Sequence, residues 1–134
     1  DLLKEVITNG TARKAKILKR PDIAGKTGTT NDLRDAWFAG FNSDIVTVTW
    51  MGYDQPKSLG NKETGSRAAL PIWIDYMKPL LKDYPFKNQI KPEGIIPLKI
   101  NKKTGMTKNA DDDGFFEYFY EEYPPYDNSY FVIN

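Results

Sequence analysis

Three short segments of strand character, joined by connections of only a few residues, constrain the fold of this chain most strongly. They are residues 23–30, 36–41 and 45–52, and only Asn42-Ser43-Asp44 separates the last two. Short alternating runs with a polar turn between them are typical of an antiparallel hairpin. We therefore predict three consecutive antiparallel strands. In the third strand, alternation separates Val46, Val48 and Trp50 from Ile45, Thr47 and Thr49.

Helical periodicity occurs both before and after these strands. Apolar residues recur at helical spacing over residues 2–7, and Gly10 is expected to cap this helix in a left-handed conformation. The longer pattern covers residues 66–81, with Pro71 in its first turns. This helix is expected to cover one face of the sheet through contacts among Trp73, Ile74, Met77, Val46, Val48 and Trp50. The predicted fold class is α+β, with an antiparallel sheet flanked by helices.

The composition changes near residue 84. Beyond it, prolines are frequent and no periodicity is sustained. We predict two parts, residues 1–84 and residues 85–134, the second being a C-terminal extension. Acids are interleaved there with the aromatic residues Phe115, Phe116, Tyr118, Phe119, Tyr120, Tyr123 and Tyr126. Packing onto the first part, docking of protein partners and disorder all remain open for this pattern.

The residue inventory excludes several kinds of chemistry. The chain has no cysteine, and hence no disulfide, thiol nucleophile or thiolate metal site. It has no histidine, which is the commonest general base. Nineteen basic and eighteen acidic residues nearly cancel, so overall charge does not predict nucleic acid as a partner. No apolar run approaches the ~18 residues of a membrane helix.

Charge is nevertheless unevenly distributed along the sequence. Basic residues cluster early, at Arg13, Lys14, Lys16, Lys19, Arg20 and Lys26. Acidic residues cluster late, at Asp111, Asp112, Asp113, Glu117, Glu121 and Glu122. Solvated surfaces are the simpler interpretation of both clusters, and a docking role is the alternative.

The densest group of chemically active residues is Lys26-Thr27-Gly28-Thr29, within the first predicted strand. Because a strand sends alternate side chains to opposite faces, Thr27 and Thr29 project together. Gly28 leaves the backbone open to a ligand, and Lys26 supplies a fixed positive charge. Such an edge is suited to binding a carboxylate.

This run resembles the Lys-Thr-Gly box of penicillin-binding proteins and serine β-lactamases, one of three sequence boxes in those enzymes. The resemblance extends over residues 31–41, residues 45–50 and the pattern Ala68-x-x-Pro71-x-Trp73. The tail is similar to the family's terminal extension at residues 98–105 and 116–119. Residues 6–81 are thus similar to the C-terminal half of the transpeptidase domain of a class A, 1A-type penicillin-binding protein.

The resemblance implies a role for each residue of the box. Lys26 would contact the serine of the second box, and the backbone N–H of Thr29 would form half of the oxyanion hole, which makes both catalytic. The hydroxyls of Thr27 and Thr29 would bind the carboxylate of a D-Ala-D-Ala stem peptide or of a β-lactam. Gly28 would leave room for that ligand, which aligns along the strand. No metal or organic cofactor is implied.

The nucleophile of this family is not found in the chain. One family box has a serine three residues before a lysine, the other a serine two residues before an asparagine, and both precede Lys-Thr-Gly. Neither spacing occurs at Ser43, Ser58, Ser66 or Ser129. We interpret the chain as the downstream, by itself inactive, portion of a serine DD-transpeptidase. The upstream half would lie in a removed segment or on another chain.

The whole enzyme implied by this resemblance cross-links peptidoglycan stem peptides and is acylated by β-lactam antibiotics. It would act at the periplasmic face of the bacterial inner membrane, held there by an upstream anchor. A noncatalytic interaction module derived from such a domain is the alternative function.

The lysine and glycine motifs also have three other interpretations. A phosphate-binding loop would need glycine where Arg20 stands, five positions before Gly25. Lys26 could also be only a solubilising lysine on an edge strand. A second Lys-Thr-Gly, at Lys103-Thr104-Gly105, is predicted to form a hairpin turn with positive φ at the glycine, and to have no catalytic role.

Overall fold

The computed structural model describes residues 2–88, 90–107 and 114–125. The chain divides into two compact units, Asp1–Gln89 and Ile90–Asn134. The first unit contains a three-stranded sheet with its helices, and the second contains a two-stranded sheet. The assignment of residues 1–84 to a transpeptidase domain and of residues 85–134 to an extension stays a prediction.

The first unit is built on an antiparallel sheet whose strands follow one another in space as in sequence. Its strands are β1 (Ala24–Thr29), β2 (Ala36–Phe41) and β3 (Val46–Met51). Asn42 stabilises the tight turn between β2 and β3, because its side-chain oxygen accepts hydrogen bonds from the N–H groups of Asp44 and Ile45 at 3.0 and 2.9 Å. The predicted α+β class with three consecutive antiparallel strands is confirmed.

The helices of this unit are α1 (Leu2–Thr8), a 3₁₀ helix (Arg13–Leu18) and α2 (Leu70–Leu80), which one π-helical turn (Gly65–Ala69) precedes. Pro71 lies at the start of α2 as predicted, where its missing N–H costs least. The prediction of a left-handed Gly10 was wrong, since its φ is not positive. The glycine is instead required by close packing, because a Cβ there would lie 2.8 Å from the Cα of Val6.

The two faces of the sheet are the reverse of those predicted. Val46, Val48 and Trp50 do not meet α2, and their side chains are 76%, 55% and 44% exposed. The opposite face carries the contacts: the Thr49 hydroxyl donates to the carbonyl of Ala69 at 3.0 Å, and Trp73 Nε1 donates to the carbonyl of Thr47 at 3.2 Å. Buried polar groups of the helix need hydrogen-bonding partners. The Thr49 hydroxyl supplies one for the carbonyl of Ala69, which a valine at that position could not do, and this favours the threonine face.

The core between the sheet and α2 is centred on Phe38 and Trp73, both fully buried. Their rings meet edge to face, with centroids 5.0 Å apart and an interplanar angle of 69°, a favourable geometry for aromatic pairs. A Cβ on Gly40 would lie 2.5 Å from the Trp73 ring. The bare backbone at position 40 therefore lets the indole lie directly on the sheet.

A buried ion pair joins the segment before β1 to the end of α2. The Arg20 guanidinium binds both carboxylate oxygens of Asp22 at 2.7 and 2.6 Å, and donates to the carbonyls of Leu81 and Tyr84 at 2.9 and 2.8 Å. The two side chains are only 11% and 2% exposed. At Arg20, the early basic cluster is therefore not a solvated surface. Hydrogen bonding from Arg20 lowers the pKa of Asp22 below its ordinary value.

We expect Arg20→Met to lower the free energy of unfolding by about 3–5 kcal/mol, because Asp22 would remain buried without its partner. In the wild type, the lowered pKa of Asp22 stabilises the folded state above the unfolded pKa of about 3.9, and this stability is lost as pH falls through the folded pKa. In the variant, burial favours the neutral carboxyl. The variant should therefore lose stability as pH rises above about 4.

Urea denaturation of the full-length protein at pH 4 and pH 7 measures both effects. Arg13→Met is the matched control. Because Arg13 is exposed, this substitution should change the free energy of unfolding by less than about 0.5 kcal/mol. A similar loss in both variants, or a loss in Arg20→Met that does not change with pH, would contradict the assignment.

The second unit is a hairpin whose turn was predicted from the sequence but whose two strands were not. Strand β4 (Ile95–Asn101) pairs antiparallel with β5 (Gly114–Tyr120). Aromatic residues at successive positions of β5 hide the alternation that marks a strand. The predicted turn at Lys103-Thr104-Gly105 is confirmed, because Gly105 has φ +71°.

Most of the aromatic side chains of β5 are exposed. Phe116, Tyr118 and Tyr120 project from the sheet at 71%, 51% and 68% exposure, whereas Ile100 of β4 is buried. Docking of protein partners on these aromatic residues stays a prediction. Tyr126 and Asp111–Asp113, also part of that pattern, lie outside the described residues.

Candidate functional site

The residues of the Lys-Thr-Gly box lie on β1, at the edge of the sheet. β1 pairs with β2 on one side, and no other strand of the described residues pairs with it on the other. An edge strand keeps one row of backbone N–H and C=O groups for an added strand. The prediction that Lys26–Thr29 forms an edge strand is confirmed.

Lys26 lies on the outer face of the sheet, opposite Ala39 of β2, and is exposed. Its ammonium group donates to the backbone carbonyl of Thr27 at 2.9 Å. Within the described part of the chain, no carboxylate forms an ion pair with it. The site therefore contains a positive charge that the described residues leave without a counter-ion.

Thr27 and Thr29 share the inner face of the sheet, as alternation predicted, and each hydroxyl has a partner from another segment. Thr27 Oγ1 lies 2.9 Å from Thr11 Oγ1, in the loop after α1. Thr29 Oγ1 accepts a hydrogen bond from the backbone N–H of Gly65 at 3.0 Å. The π-helical turn before α2 and the loop after α1 thus both contact the box.

Gly28 lies opposite Trp37 on the outer face. A Cβ at this position would be 3.2 Å from the Cβ of Trp37, so the cross-strand tryptophan itself favours glycine here. Clearance for a ligand, the reason inferred from resemblance, stays a prediction. Gly65 is under a stronger constraint, because a Cβ there would overlap the carbonyl oxygens of Gly28 and Trp37.

Asp35, in the connection between β1 and β2, stabilises the end of the strand that carries the box. Asp35 accepts a hydrogen bond from Trp50 Nε1 at 2.9 Å and one from the Thr30 hydroxyl at 3.3 Å. Its own backbone N–H donates to Thr30 Oγ1 at 2.8 Å. The partners are Trp50 and Thr30, and they fix the end of β1.

The second Lys-Thr-Gly is placed differently. Lys103 and Thr104 lie in the turn after β4, where their N–H groups donate to the side-chain oxygen of Asn101 at 2.8 and 3.2 Å. They are therefore turn residues and do not lie along a strand edge.

The described residues hold no group of three or more His, Cys, Asp or Glu side chains placed to bind a metal ion. The same residues include no helix with the length and hydropathy needed to cross a membrane.

Two residues of the site, Thr11 and Gly65, were missed by sequence reasoning. Both are distant in sequence from the box, and they reach it only through tertiary packing. A glycine directly before a helical pattern was the one signal available for Gly65, and threonine after a predicted helix is too common to indicate a site.

Several known proteins are similar to this chain in sequence. No protein-family model matches the chain. The chain is 50% identical over 125 residues to penicillin-binding protein 1A of Pseudomonas aeruginosa, covering 92% of this chain and 15% of that protein. It is 54% identical over 104 residues to penicillin-binding protein 1A of Aquifex aeolicus, covering 77% of this chain and 14% of that protein.

A solved structure is similar over nearly the whole chain. The crystal structure of penicillin-binding protein 1A from Haemophilus influenzae aligns with a TM-score of 0.86 at 36% identity, covering 93% of this chain and 20% of that one. The fold is thus the α+β fold of a transpeptidase-like domain. The chain belongs to the penicillin-binding protein 1A family, and spans about 15% of the length of the curated relatives named above.

Proposed function

We propose that this chain is the part of a serine DD-transpeptidase that carries the substrate-aligning strand. The whole enzyme cross-links peptidoglycan stem peptides and is acylated by β-lactams. One observation carries the proposal: Lys26-Thr27-Gly28-Thr29 lies on an edge strand, with both threonine hydroxyls aligned on one face, in a chain half identical to penicillin-binding protein 1A.

The chemistry of a carboxylate-terminated peptide suits these groups. Its backbone would add to the edge of β1, and its terminal carboxylate would accept hydrogen bonds from Thr27 and Thr29. A hydrogen bond to an ionised acceptor is about twice as strong as one between neutral groups. The Lys26 ammonium would lower the energy of negative charge nearby, and the Thr29 N–H would stabilise the oxyanion of the tetrahedral intermediate.

The attacking hydroxyl would come from outside this chain. Acylation in two steps requires a nucleophile with an adjacent base. The serines of the described residues have other partners: the Ser43 hydroxyl donates to Asp44, Ser58 accepts from Gly60, and Ser66 pairs with Thr64. We therefore assign the serine and its base to an upstream half of the domain.

The outer face of the sheet is where we place that upstream half. Lys26 projects from this face, and its predicted partner is the serine of the second box. The same face exposes apolar side chains: Trp37, Val46, Val48 and Trp50. The Trp37 and Trp50 rings lie 6.1 Å apart. At ~25 cal/mol per Å² of apolar surface buried, covering such a face would contribute several kcal/mol.

The location we propose is the periplasmic face of the bacterial inner membrane, where peptidoglycan is assembled, with the anchor in an upstream segment. The molecules that the enzyme would bind in that compartment are stem peptides and β-lactams. No cofactor enters the proposed reaction, since serine, lysine and backbone N–H groups supply its acid–base and electrostatic steps.

The test is a turnover assay on the full-length protein. With a stem peptide that ends in D-Ala-D-Ala, we expect release of D-Ala and formation of a cross-linked product, both abolished by penicillin. The matched control substrate is the same peptide with a C-terminal amide. It should react poorly because Thr27 and Thr29 lose the carboxylate. Turnover of both substrates at one rate would contradict carboxylate recognition, and absence of turnover would contradict the transpeptidase assignment.

A further inference from the structure

The loop after α1 brings a third hydroxyl to the Lys-Thr-Gly strand. Thr11 is exposed, and its Oγ1 lies 2.9 Å from Thr27 Oγ1. Its position is well defined, because the next residue, Ala12, is fully buried and its N–H donates to the carbonyl of Val6 at 2.9 Å. Thr11 is therefore held against the box by packing of the residues around it.

Each threonine hydroxyl has one proton to donate and two lone pairs that accept. In the Thr11–Thr27 pair, one hydroxyl donates to the other, so the pair keeps one proton for a third acceptor. When Thr11 is the donor, that remaining proton belongs to Thr27. A carboxylate bound at Thr27 would favour this arrangement, since a carboxylate only accepts.

The hydroxyl of Thr29 also has a hydrogen-bonding partner outside its strand. The N–H of Gly65 occupies one lone pair of its hydroxyl at 3.0 Å, which leaves the hydroxyl proton of Thr29 to donate elsewhere. With Thr11 as the donor, the two hydroxyls on the inner face would each receive a hydrogen bond from outside the strand. Both are then directed to donate to a negatively charged ligand.

We propose that Thr11 is a positioning residue of the carboxylate site: it donates to Thr27 and thereby orients the Thr27 hydroxyl as a donor to the ligand's carboxylate. This inference rests on the proposed function, and it adds a residue that lies outside the three sequence boxes. It also assigns the loop between α1 and the 3₁₀ helix to ligand binding.

The experiment compares acylation rates of full-length variants toward two penicillins. Thr11→Val keeps the shape of the side chain and removes its hydroxyl, and Thr11→Ser keeps the hydroxyl. With a penicillin that carries its free carboxylate, we expect Thr11→Val to slow acylation about tenfold, in line with one hydrogen bond to a charged network. Thr11→Ser should stay within about twofold of the wild type. With the methyl ester of the same penicillin, Thr11→Val should change little.

Thr8→Val is the matched control, because the Thr8 hydroxyl donates to the carbonyl of Lys4 within α1 and, among the described residues, forms no hydrogen bond to the box. A double substitution of Thr11 and Thr27 by valine adds a second readout. If Thr11 acts through Thr27, the double variant should be no slower than Thr27→Val alone. If Thr11→Val folds poorly, the ratio of its acylation rates with the carboxylate and with the ester keeps the inference testable, because a smaller folded fraction slows both reactions equally.

The outcomes separate the inference from the proposed function. If wild-type protein is not acylated by either penicillin, the proposed function fails. If wild type is acylated and Thr11→Val is as fast as Thr8→Val, only the role of Thr11 fails. Equal slowing with the carboxylate and the ester, or additive effects of the two valine substitutions, would show that Thr11 is merely structural and would overturn the inference.

Discussion

The 134-residue chain is expected to form no covalent adduct with labelled penicillin, whereas the full-length protein takes up one label at an upstream serine. Stable labelling is acylation of a hydroxyl by the β-lactam carbonyl, and it requires a nucleophile activated by a neighbouring base. None of the serines in the described residues hydrogen-bonds a lysine amine. The difference between the two proteins should therefore be all or none.

Mass spectrometry of the labelled proteins measures this result, and peptide mapping locates the modified residue. Ser66 is the serine of this chain nearest in sequence to a site residue, Gly65, so Ser66→Ala in the full-length protein is the control and should label normally. Adding a separately produced upstream half to the chain is expected to restore labelling. A stoichiometric adduct on the chain alone would overturn the assignment of the nucleophile. A full-length protein that never labels would favour the interaction-module alternative.

The second large effect is expected from Lys26→Ala in the full-length protein, which should slow acylation by penicillin ~10²–10³-fold, the range for loss of one preorganised stabilising group. Lys26 is exposed on the edge strand, and no ion pair with a described residue compensates its charge. Its removal should therefore cost little stability, and the loss should appear in the rate.

Lys103→Ala is the matched control, because it removes the same side chain from an identical tripeptide. Lys103 lies in a turn capped by Asn101, and acylation by this variant should stay at the wild-type rate. Second-order acylation rate constants and melting temperatures of both variants decide the question. Equal slowing by the two substitutions would contradict the assignment of the site to β1.

The strand order and the position of the box were accessible from the sequence because they depend on local signals. Short alternating runs and the polar turn at Asn42 specify a hairpin. The run Lys26–Thr29 lies on β1 as expected, and positive φ at Gly105 follows from turn chemistry. Such signals act between near neighbours in the chain, so they can be recognised without knowing the packing.

The faces of the sheet and the partners of the box were decided by tertiary packing. Hydropathy assigned Val46 and Val48 to the core, but the helix meets the threonine face, where the Thr49 hydroxyl satisfies the buried carbonyl of Ala69. The hydrogen bonds that link Thr11 and Gly65 to the box join segments 16 and 36 residues apart. No local pattern encodes such contacts, since each depends on how complete elements come together. Four consecutive residues thus supply the chemical groups of the box, whereas the orientation of the hydroxyls among them depends on the folded domain.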